Sequence, residues 1–184
     1  MKKNLSLILI MILASCNFQQ SESSDKHILK QVEDSKAHWN NTTYYLIRHA
    51  EKDRTDPSEK DPKLTEIGIK RAQNWAKVLK EVSFDMVYST NYNRTKATAL
   101  PIAEANNLEV EIYDQADMYN QNFQQKTKGK TVLIVGHSNT TPAFVNAILK
   151  NKKYEDLPDD ENGGLFIVTV TPNNKVSSQV LYFN

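Results

Sequence analysis

From about residue 42 onward, short apolar runs alternate with segments whose apolar positions follow a helical period. Apolar runs of this length predict buried strands, and an apolar–acidic alternation at 108–113 predicts a half-buried one. The predicted strands are residues 44–47, 84–88, 108–113, 131–135, 165–170 and 176–183. The predicted helices are residues 65–81, 92–106 and 141–150, while 118–126 fits either a helix or an ordered loop.

Capping residues and prolines set the expected boundaries of these elements. Thr65 is a good N-cap for the first helix, and Pro101 is expected to interrupt or bend the second. Thr141 followed by Pro142 predicts an N-cap with proline at the first helical position. Strands interleaved with helices predict an α/β fold, a three-layer α/β/α sandwich with a mostly parallel central sheet. The last two strands are expected to form a hairpin that adds antiparallel pairing at one side.

The beginning of the chain has the pattern of an export signal. Lys2 and Lys3 precede an apolar stretch at residues 5–13, which is typical of a secretory signal peptide. Leu13-Ala14-Ser15-Cys16 resembles the lipobox of bacterial lipoproteins, in which the cysteine is acylated and becomes the mature N-terminus. The alternative is a plain signal peptide with a cysteine near its end by chance.

This pattern divides the chain into three parts. Residues 1–15 are predicted to be the signal peptide, 16–40 the lipidated Cys16 with a flexible tether, and 41–184 the folded domain. The tether is rich in Gln, Ser and charged residues and has few apolar positions. We therefore expect an exported protein, anchored through lipid at Cys16 to the periplasmic or cell-surface side of a bacterial membrane.

Composition narrows the possible functions. With 184 residues, a single compact domain is expected. The 23 Lys and Arg residues against 22 Asp and Glu give a net charge of +1, which provides no basic surface for nucleic acid. The single cysteine excludes an internal disulfide and any metal site built from a cysteine cluster.

Three predicted strands are each followed by a residue type that binds anions. Arg48 and His49 follow the first strand, Arg94 lies in the helix after the second, and His137 follows Gly136. Ligands of open α/β sheets bind at the carboxyl ends of the strands. We therefore expect both arginines and both histidines to meet at one edge of the sheet.

Such a group of side chains suits phosphate chemistry. Guanidinium groups pair with phosphate oxygens, and a helix N-terminus offers free N–H groups to an anion. A neutral imidazole can attack phosphorus and carry the phosphoryl group, while surrounding cations disfavour imidazolium. Because side chains supply the positive charge, neither a metal nor another cofactor is expected.

These motifs, in this order, resemble the histidine phosphatase superfamily, which includes phosphoglycerate mutases, acid phosphatases and small phosphohistidine phosphatases. The resemblance covers residues 42–184 and rests on the segments 48–49, 64–68, 89–99 and 136–138. It implies a phosphoglycerate mutase-like fold, with His49 as the phosphorylated nucleophile and Arg48 and Arg94 as phosphate clamps. It also implies that His137 donates to a phosphoryl oxygen, with help from Asn139 or from the backbone after His137.

The residue that protonates the leaving group is left open by this resemblance. Ser138 stands where the acid phosphatase branch has an aspartate, and the mutase-type branch takes its acid from the middle segment. Asp114 and Asp117 are candidates there, with Glu51 as a more remote one. A phosphohistidine-type substrate has a good leaving group and needs no acid.

The leading hypothesis is therefore a metal-independent phosphatase that hydrolyses phosphomonoesters or phosphoramidates of a small molecule or phosphoprotein through a phosphohistidine at His49. Three alternatives remain: a phosphate-binding lipoprotein without turnover, a phosphoglycerate mutase-like phosphotransferase, and a structural surface lipoprotein. The enzyme hypothesis requires both imidazoles and both guanidinium groups to lie within reach of one tetrahedral anion.

Overall fold

A computed structural model describes residues 40–183 of the chain. The predicted signal peptide, Cys16 and nearly all of the tether lie outside the described residues. The described strands are β1 (Thr42–Arg48), β2 (Met86–Ser89), β3 (Val110–Ile112), β4 (Thr131–Gly136), β5 (Gly164–Val170) and β6 (Val176–Tyr182). The described helices are α1 (Glu66–Val78), α2 (Asn93–Ala105), α3 (Gln121–Thr127) and α4 (Thr140–Leu149).

The strands form one six-stranded sheet in the order β3-β2-β4-β1-β5-β6. Strands β1 to β4 pair in parallel, because a helix or loop crossover separates each from the next. Strand β5 runs antiparallel to β1, and β6 antiparallel to β5, as a hairpin requires. The predicted mostly parallel sheet with an antiparallel hairpin at one side is confirmed.

Helices cover both faces of the sheet, because successive side chains of a strand point to opposite faces. One face carries a core with α1 and α2, formed by Ile47, Trp75, Leu79, Val87, Ala99, Ile102, Leu133, Val135 and Leu165 among others. The other carries a core with α3 and α4, formed by Tyr44, Leu46, Tyr88, Phe123, Val132, Ile134, Phe144, Ile148 and Phe166 among others. The predicted three-layer α/β/α sandwich is therefore confirmed.

Helix boundaries follow the capping chemistry with one exception. Thr65 caps α1 as predicted, since its Oγ1 accepts from the Gly68 N–H at 3.0 Å. The prediction for α4 is wrong: Asn139 is the N-cap, so Pro142 occupies the third helical position. The Thr141 N–H already bonds to the His137 carbonyl at 3.0 Å, so the turn begins earlier. Pro142 is tolerated because N–H groups of a first turn lack helical partners.

Helix α2 contains Pro101 and continues without interruption from Asn93 to Ala105. The segment that fitted a helix or a loop forms α3, capped by Asn120 Oδ1 on the Phe123 N–H at 2.8 Å. None of the four helices just described is long and apolar enough to cross a membrane.

Candidate active site

The carboxyl ends of β1, β4 and β2 lie side by side, because β4 stands between the other two strands. Arg48 pairs with Gly136 in the sheet register, and the His49 N–H donates to the Gly136 carbonyl at 2.9 Å. The Thr90 N–H donates to the Val135 carbonyl at 3.3 Å. The three chemistry-bearing segments thus meet at one edge, as the parallel sheet predicts.

His49 is almost fully buried, and a backbone carbonyl fixes its ring. Its Nδ1 lies 2.7 Å from the carbonyl oxygen of Ala50. A carbonyl oxygen only accepts hydrogen bonds, so Nδ1 carries the proton and Nε2 of the neutral ring holds the free lone pair. The Asn162 amide holds the other side of the residue by donating to the His49 carbonyl at 2.8 Å.

His137 lies against His49, with the ring centroids 5.4 Å apart. Its Nε2 is 2.9 Å from Thr90 Oγ1, and its Nδ1 is 3.4 Å from Nη2 of Arg94. The strand that leads to it must end in glycine. A Cβ at Gly136 would lie 2.9 Å from the Oγ1 atoms of both Thr140 and Thr141.

Arg94 reaches the site from the first turn of α2. Its Nη1 donates to Asp61 Oδ1 at 3.3 Å, and its guanidinium lies 4.4 Å from the centroid of the Tyr92 ring. Asp61 also accepts from the Asn93 N–H at 2.9 Å, so one carboxylate caps the helix and orients the arginine. Thr98, one turn further, accepts from the Ala50 N–H at 3.0 Å and thereby ties this helix to the loop after His49.

Arg48 is held by the segment that precedes β5. Its Nη1 donates to the carbonyls of Pro158 at 2.8 Å and Glu161 at 3.0 Å. Its Nη2 donates to Asp159 Oδ1 at 3.1 Å. Asp159 also pairs with Arg54 at 2.8 Å, and its side chain remains 72% exposed.

Two buried donors at the site have no partner. Both Arg48 Nε and Arg94 Nε are buried without a hydrogen bond. A buried polar group without a partner is costly, particularly a charged one. The two N–H groups belong to Arg48 and Arg94, the two arginines that the sequence predicts to bind phosphate.

The electrostatic environment keeps both histidines neutral. Burial lowers the pKa of His49 to about 3, with smaller contributions in the same direction from Arg48, His137 and Arg94. Burial lowers the pKa of His137 to about 4, assisted by the positive charge of Arg94, Arg48 and Lys52. Both rings are therefore uncharged at neutral pH, and His49 has the protonation state that a nucleophile needs.

A cleft of about 430 Å³ opens at His49 and carries charges of both signs. Its lining residues are His49, Glu51, Lys52, Arg54, Asp159, Asp160 and Asn162. Within residues 40–183, no group of three or more His, Cys, Asp or Glu side chains is arranged to hold a metal ion.

The three candidate acids occupy different surroundings. Glu51 lines the cleft with His49; its Oε1 pairs with Arg71 at 2.7 Å, and its Oε2 is buried without a partner. Asp114 is exposed and lines a second cleft, together with Thr90 and Tyr92. Asp117 is exposed and accepts from the Asn120 amide at 3.0 Å.

The structure places Asn139, which is predicted to help bind phosphate, at the start of α4. It is the exposed N-cap of α4 and makes no side-chain capping bond. The structure instead adds residues that the sequence analysis missed: Thr90 on His137, Asp61 on Arg94, Asp159 on Arg48 and Asn162 on His49. Of these, only Thr90 gave a sequence signal, since it lies between the strand end at Ser89 and Arg94.

Comparison with known proteins finds a phosphatase family and a phosphatase relative. The family described as the histidine phosphatase superfamily (branch 1) matches residues 44–117. Phosphoserine phosphatase 1 of Hydrogenobacter thermophilus is 44% identical over 69 residues. That stretch makes up 35% of this chain and 33% of the relative, so the match spans about a third of the relative's length.

Solved structures extend the similarity across the fold. The protein histidine phosphatase SixA complexed with tungstate superposes with a TM-score of 0.61 at 18% identity, covering 76% of this chain and 96% of SixA. Phosphoglycerate mutase from Bacillus anthracis gives 0.61 at 14% identity, covering 79% and 95%. The resemblance carried by the motifs is confirmed: the histidine phosphatase superfamily matches by sequence over residues 44–117, and the fold is similar to those of SixA and phosphoglycerate mutase.

Proposed function

We propose that this protein is a phosphatase that hydrolyses phosphomonoesters or phosphoramidates through a phosphohistidine formed on His49. One observation carries the proposal. The nucleophilic nitrogen, Nε2, is left with a free lone pair by the 2.7 Å hydrogen bond at Nδ1, in a buried ring flanked by two arginines. The family and the phosphoserine phosphatase relative support phosphatase activity.

In the first step, Nε2 of His49 attacks phosphorus. The new bond joins Nε2 to phosphorus, and the bond between phosphorus and the leaving oxygen or nitrogen breaks. The ring keeps its Nδ1 proton and becomes cationic, which the Ala50 carbonyl stabilises. The unpartnered Nε–H groups of Arg48 and Arg94 donate to the phosphoryl oxygens, where charge is spread in the transition state.

In the second step, water attacks phosphorus, the bond to Nε2 breaks, and inorganic phosphate leaves. One water proton ends on phosphate or solvent, and His49 returns to its neutral tautomer. The leaving group of the first step needs a proton when it is an alkoxide. Among the three candidate acids, Glu51 has the best position, since it lines the cleft with His49 and its Oε2 has no partner.

The substrate we propose is a phosphorylated small molecule or a phosphoprotein. SixA, a protein histidine phosphatase by name, was solved with tungstate, a tetrahedral oxyanion. The paired guanidinium groups of this chain suit the same geometry. Metal ions are assigned no part, because side chains supply the positive charge.

Hydrolysis of an aryl phosphate by the purified protein in EDTA tests this proposal, with His49→Ala as the matched variant. We expect turnover that resists EDTA and is lost in the variant. Turnover is measured from acidic to mildly basic pH with a panel of phosphorylated compounds. Tungstate binding without any turnover would contradict the phosphatase and favour a phosphate-binding protein. Phosphoryl transfer between two phosphoglycerates at a rate above hydrolysis would favour the mutase-like alternative.

We also propose that the protein is exported and anchored to a bacterial membrane through lipid on Cys16. The support is the basic Lys2-Lys3 start, the apolar stretch and the segment that ends at Cys16. Metabolic labelling with an alkyne fatty acid should label the wild-type protein and not Cys16→Ser. Labelling that persists in the variant, or wild-type protein found only in the soluble fraction, would contradict the anchor.

A further inference from the structure

A line of buried hydroxyl groups extends from His137 away from the anion site. We propose that Thr90 is a positioning residue which, backed by Thr95, holds His137 as the Nε2–H tautomer and turns its Nδ1 toward Arg94. The tautomer follows from the contacts alone. Its effect on turnover rests on the proposed function.

Each hydrogen bond in this line has a defined direction. Thr95 Oγ1 shares its single proton between the carbonyl oxygens of Thr90 at 2.9 Å and Tyr92 at 3.0 Å, which can only accept. Thr95 Oγ1 therefore accepts the hydroxyl proton of Thr90, at 3.0 Å. The single hydroxyl proton of Thr90 is thus donated to Thr95. At the 2.9 Å contact with His137, Thr90 Oγ1 therefore accepts and Nε2 donates.

The opposite side of the ring gives the same result independently. Nη2 of Arg94 lies 3.4 Å from His137 Nδ1, and a guanidinium group only donates. Nδ1 therefore accepts and carries no proton in the neutral ring. The other neutral tautomer would set a lone pair against Thr90 Oγ1 and an N–H against Arg94, so only the Nε2–H tautomer satisfies both neighbours.

The hydrogen bonds of this arrangement are buried. Thr90 and Thr95 are fully buried, and the Tyr92 ring packs edge-on against His137 at 5.0 Å between centroids. Inside a protein, a lost hydrogen-bond partner is not readily replaced by water. The hydroxyl of Thr90 is thus the acceptor that keeps Nε2–H in place.

The two histidines of the site are consequently held in opposite tautomers. His49 carries its proton on Nδ1 and offers Nε2, whereas His137 carries its proton on Nε2 and offers Nδ1. When a phosphoryl dianion displaces the Arg94 contact, Nδ1 of His137 takes a proton from solvent and donates it as a hydrogen bond to a phosphoryl oxygen. Thr90 then still accepts from Nε2–H and supports the imidazolium.

The experiment is ¹⁵N NMR of the histidine side chains in the full-length protein, with His137→Asn used to assign the His137 signals. The wild type should show a protonated Nε2 and an unprotonated Nδ1 at His137. Thr90→Val, which keeps the shape and removes the acceptor, should shift this balance toward a mixture of tautomers, while Thr90→Ser should retain the wild-type pattern. The His49 signals, protonated at Nδ1, serve as the internal standard for an intact fold.

Two spectra would overturn the inference: a wild-type His137 protonated at Nδ1, or a Thr90→Val spectrum identical to the wild type. Thr95→Val should have a smaller effect than Thr90→Val, since it removes only the acceptor for the Thr90 proton. If Thr90→Val unfolds, the comparison of Thr95→Val with the wild type still decides the direction of the hydrogen bonds that join Thr95, Thr90 and His137.

Kinetics provide the functional measurement. Thr90→Val should lower kcat by about tenfold, the equivalent of one buried hydrogen bond, with little change in KM. Thr90→Ser should restore the rate to within about twofold. Equal losses in both variants would contradict positioning through the hydroxyl. A wild type that is inactive would refute the proposed function and leave the tautomer result standing.

Discussion

Nδ1 of His49 lies 2.7 Å from the carbonyl oxygen of Ala50, the residue directly after it in the chain. The proposed nucleophile is therefore oriented by its own backbone and needs no carboxylate partner to set its tautomer. The Ala50 N–H is fixed in turn by Thr98 of α2, at 3.0 Å. Hydrogen bonds through the loop after β1 thus connect α2, which carries Arg94, to the ring of His49.

The two neutral histidines predict how stability depends on pH. Their pKa values, about 3 for His49 and about 4 for His137, lie below the ordinary value of 6.5. At pH values between these lowered pKa values and 6.5, the unfolded chain binds more protons than the folded chain. The free energy of unfolding therefore rises with pH in this range. It should therefore fall on acidification from about pH 6.5 to pH 5, by at most about 1.4 kcal/mol per pH unit for each histidine.

Urea denaturation across that range measures this effect, with His137→Asn as the comparison. The variant should show a shallower slope than the wild type, because one of the two titrating rings is gone. A free energy of unfolding that is level from about pH 6.5 to pH 5 would contradict the assignment of two buried neutral rings.

Asp159 is predicted to compete with the phosphoryl group for Arg48. Its carboxylate occupies Nη2 of Arg48 at 3.1 Å, while the carbonyls of Pro158 and Glu161 hold Nη1 independently. Asp159→Asn should therefore leave Arg48 in place and tighten tungstate binding. Because the side chain is mostly exposed, the gain should be modest, about threefold.

Asp160→Asn is the matched control, since it removes the same charge from the same cleft without a hydrogen bond to Arg48. Isothermal titration with tungstate compares the two variants. An equal gain in tungstate affinity in both variants would mean that net charge alone causes the effect. Weaker binding in Asp159→Asn would show that Asp159 orients Arg48 for the ligand.

Glu51 is predicted to protonate poor leaving groups. Its buried, unpartnered Oε2 belongs to a side chain that lines the cleft with His49. Glu51→Gln should lower kcat/KM for an alkyl phosphate by about 100-fold and leave p-nitrophenyl phosphate within a few-fold, because nitrophenolate leaves without a proton. Asp114→Asn is the control; if it shows the selective loss instead, the acid comes from the second cleft.

Gly68 is predicted to be essential for the contact between α1 and the site loop. A Cβ there would lie 2.2 Å from the carbonyl oxygen of Glu51, two residues after His49. Gly68→Ala should lower the free energy of unfolding by about 3 kcal/mol and reduce turnover. Gly164→Ala, whose Cβ would meet Tyr182 at an ordinary 3.5 Å, should change stability far less. Similar denaturation midpoints for the two variants would contradict this contact.

The sequence predicts the frame of the site better than its details. The strand ends that carry Arg48, His49 and His137 follow from apolar runs, because such runs are continuous and sharply bounded. The start of α4 was misplaced by two residues, since Thr140, Thr141 and Pro142 all suit a first helical turn.

The contacts around the arginines could not be predicted in the same way. Asp61 and Asp159 lie in irregular segments, and no periodic pattern fixes where such backbone returns to the sheet. Thr90 was visible in the sequence as a strand-end residue. Its role appears only when the fold places His137 Nε2 at 2.9 Å from its hydroxyl.

Trapping the covalent intermediate tests the role of His49 as the nucleophile most directly. The purified protein is mixed with an aryl phosphate in EDTA, quenched in alkali, where phosphohistidine survives, and mapped by mass spectrometry and ³¹P NMR. We expect a single acid-labile phosphoryl group on Nε2 of His49 that disappears on hydrolysis and is absent from His49→Ala. A phosphoryl group on any other residue, or undiminished turnover in His49→Ala, would contradict it.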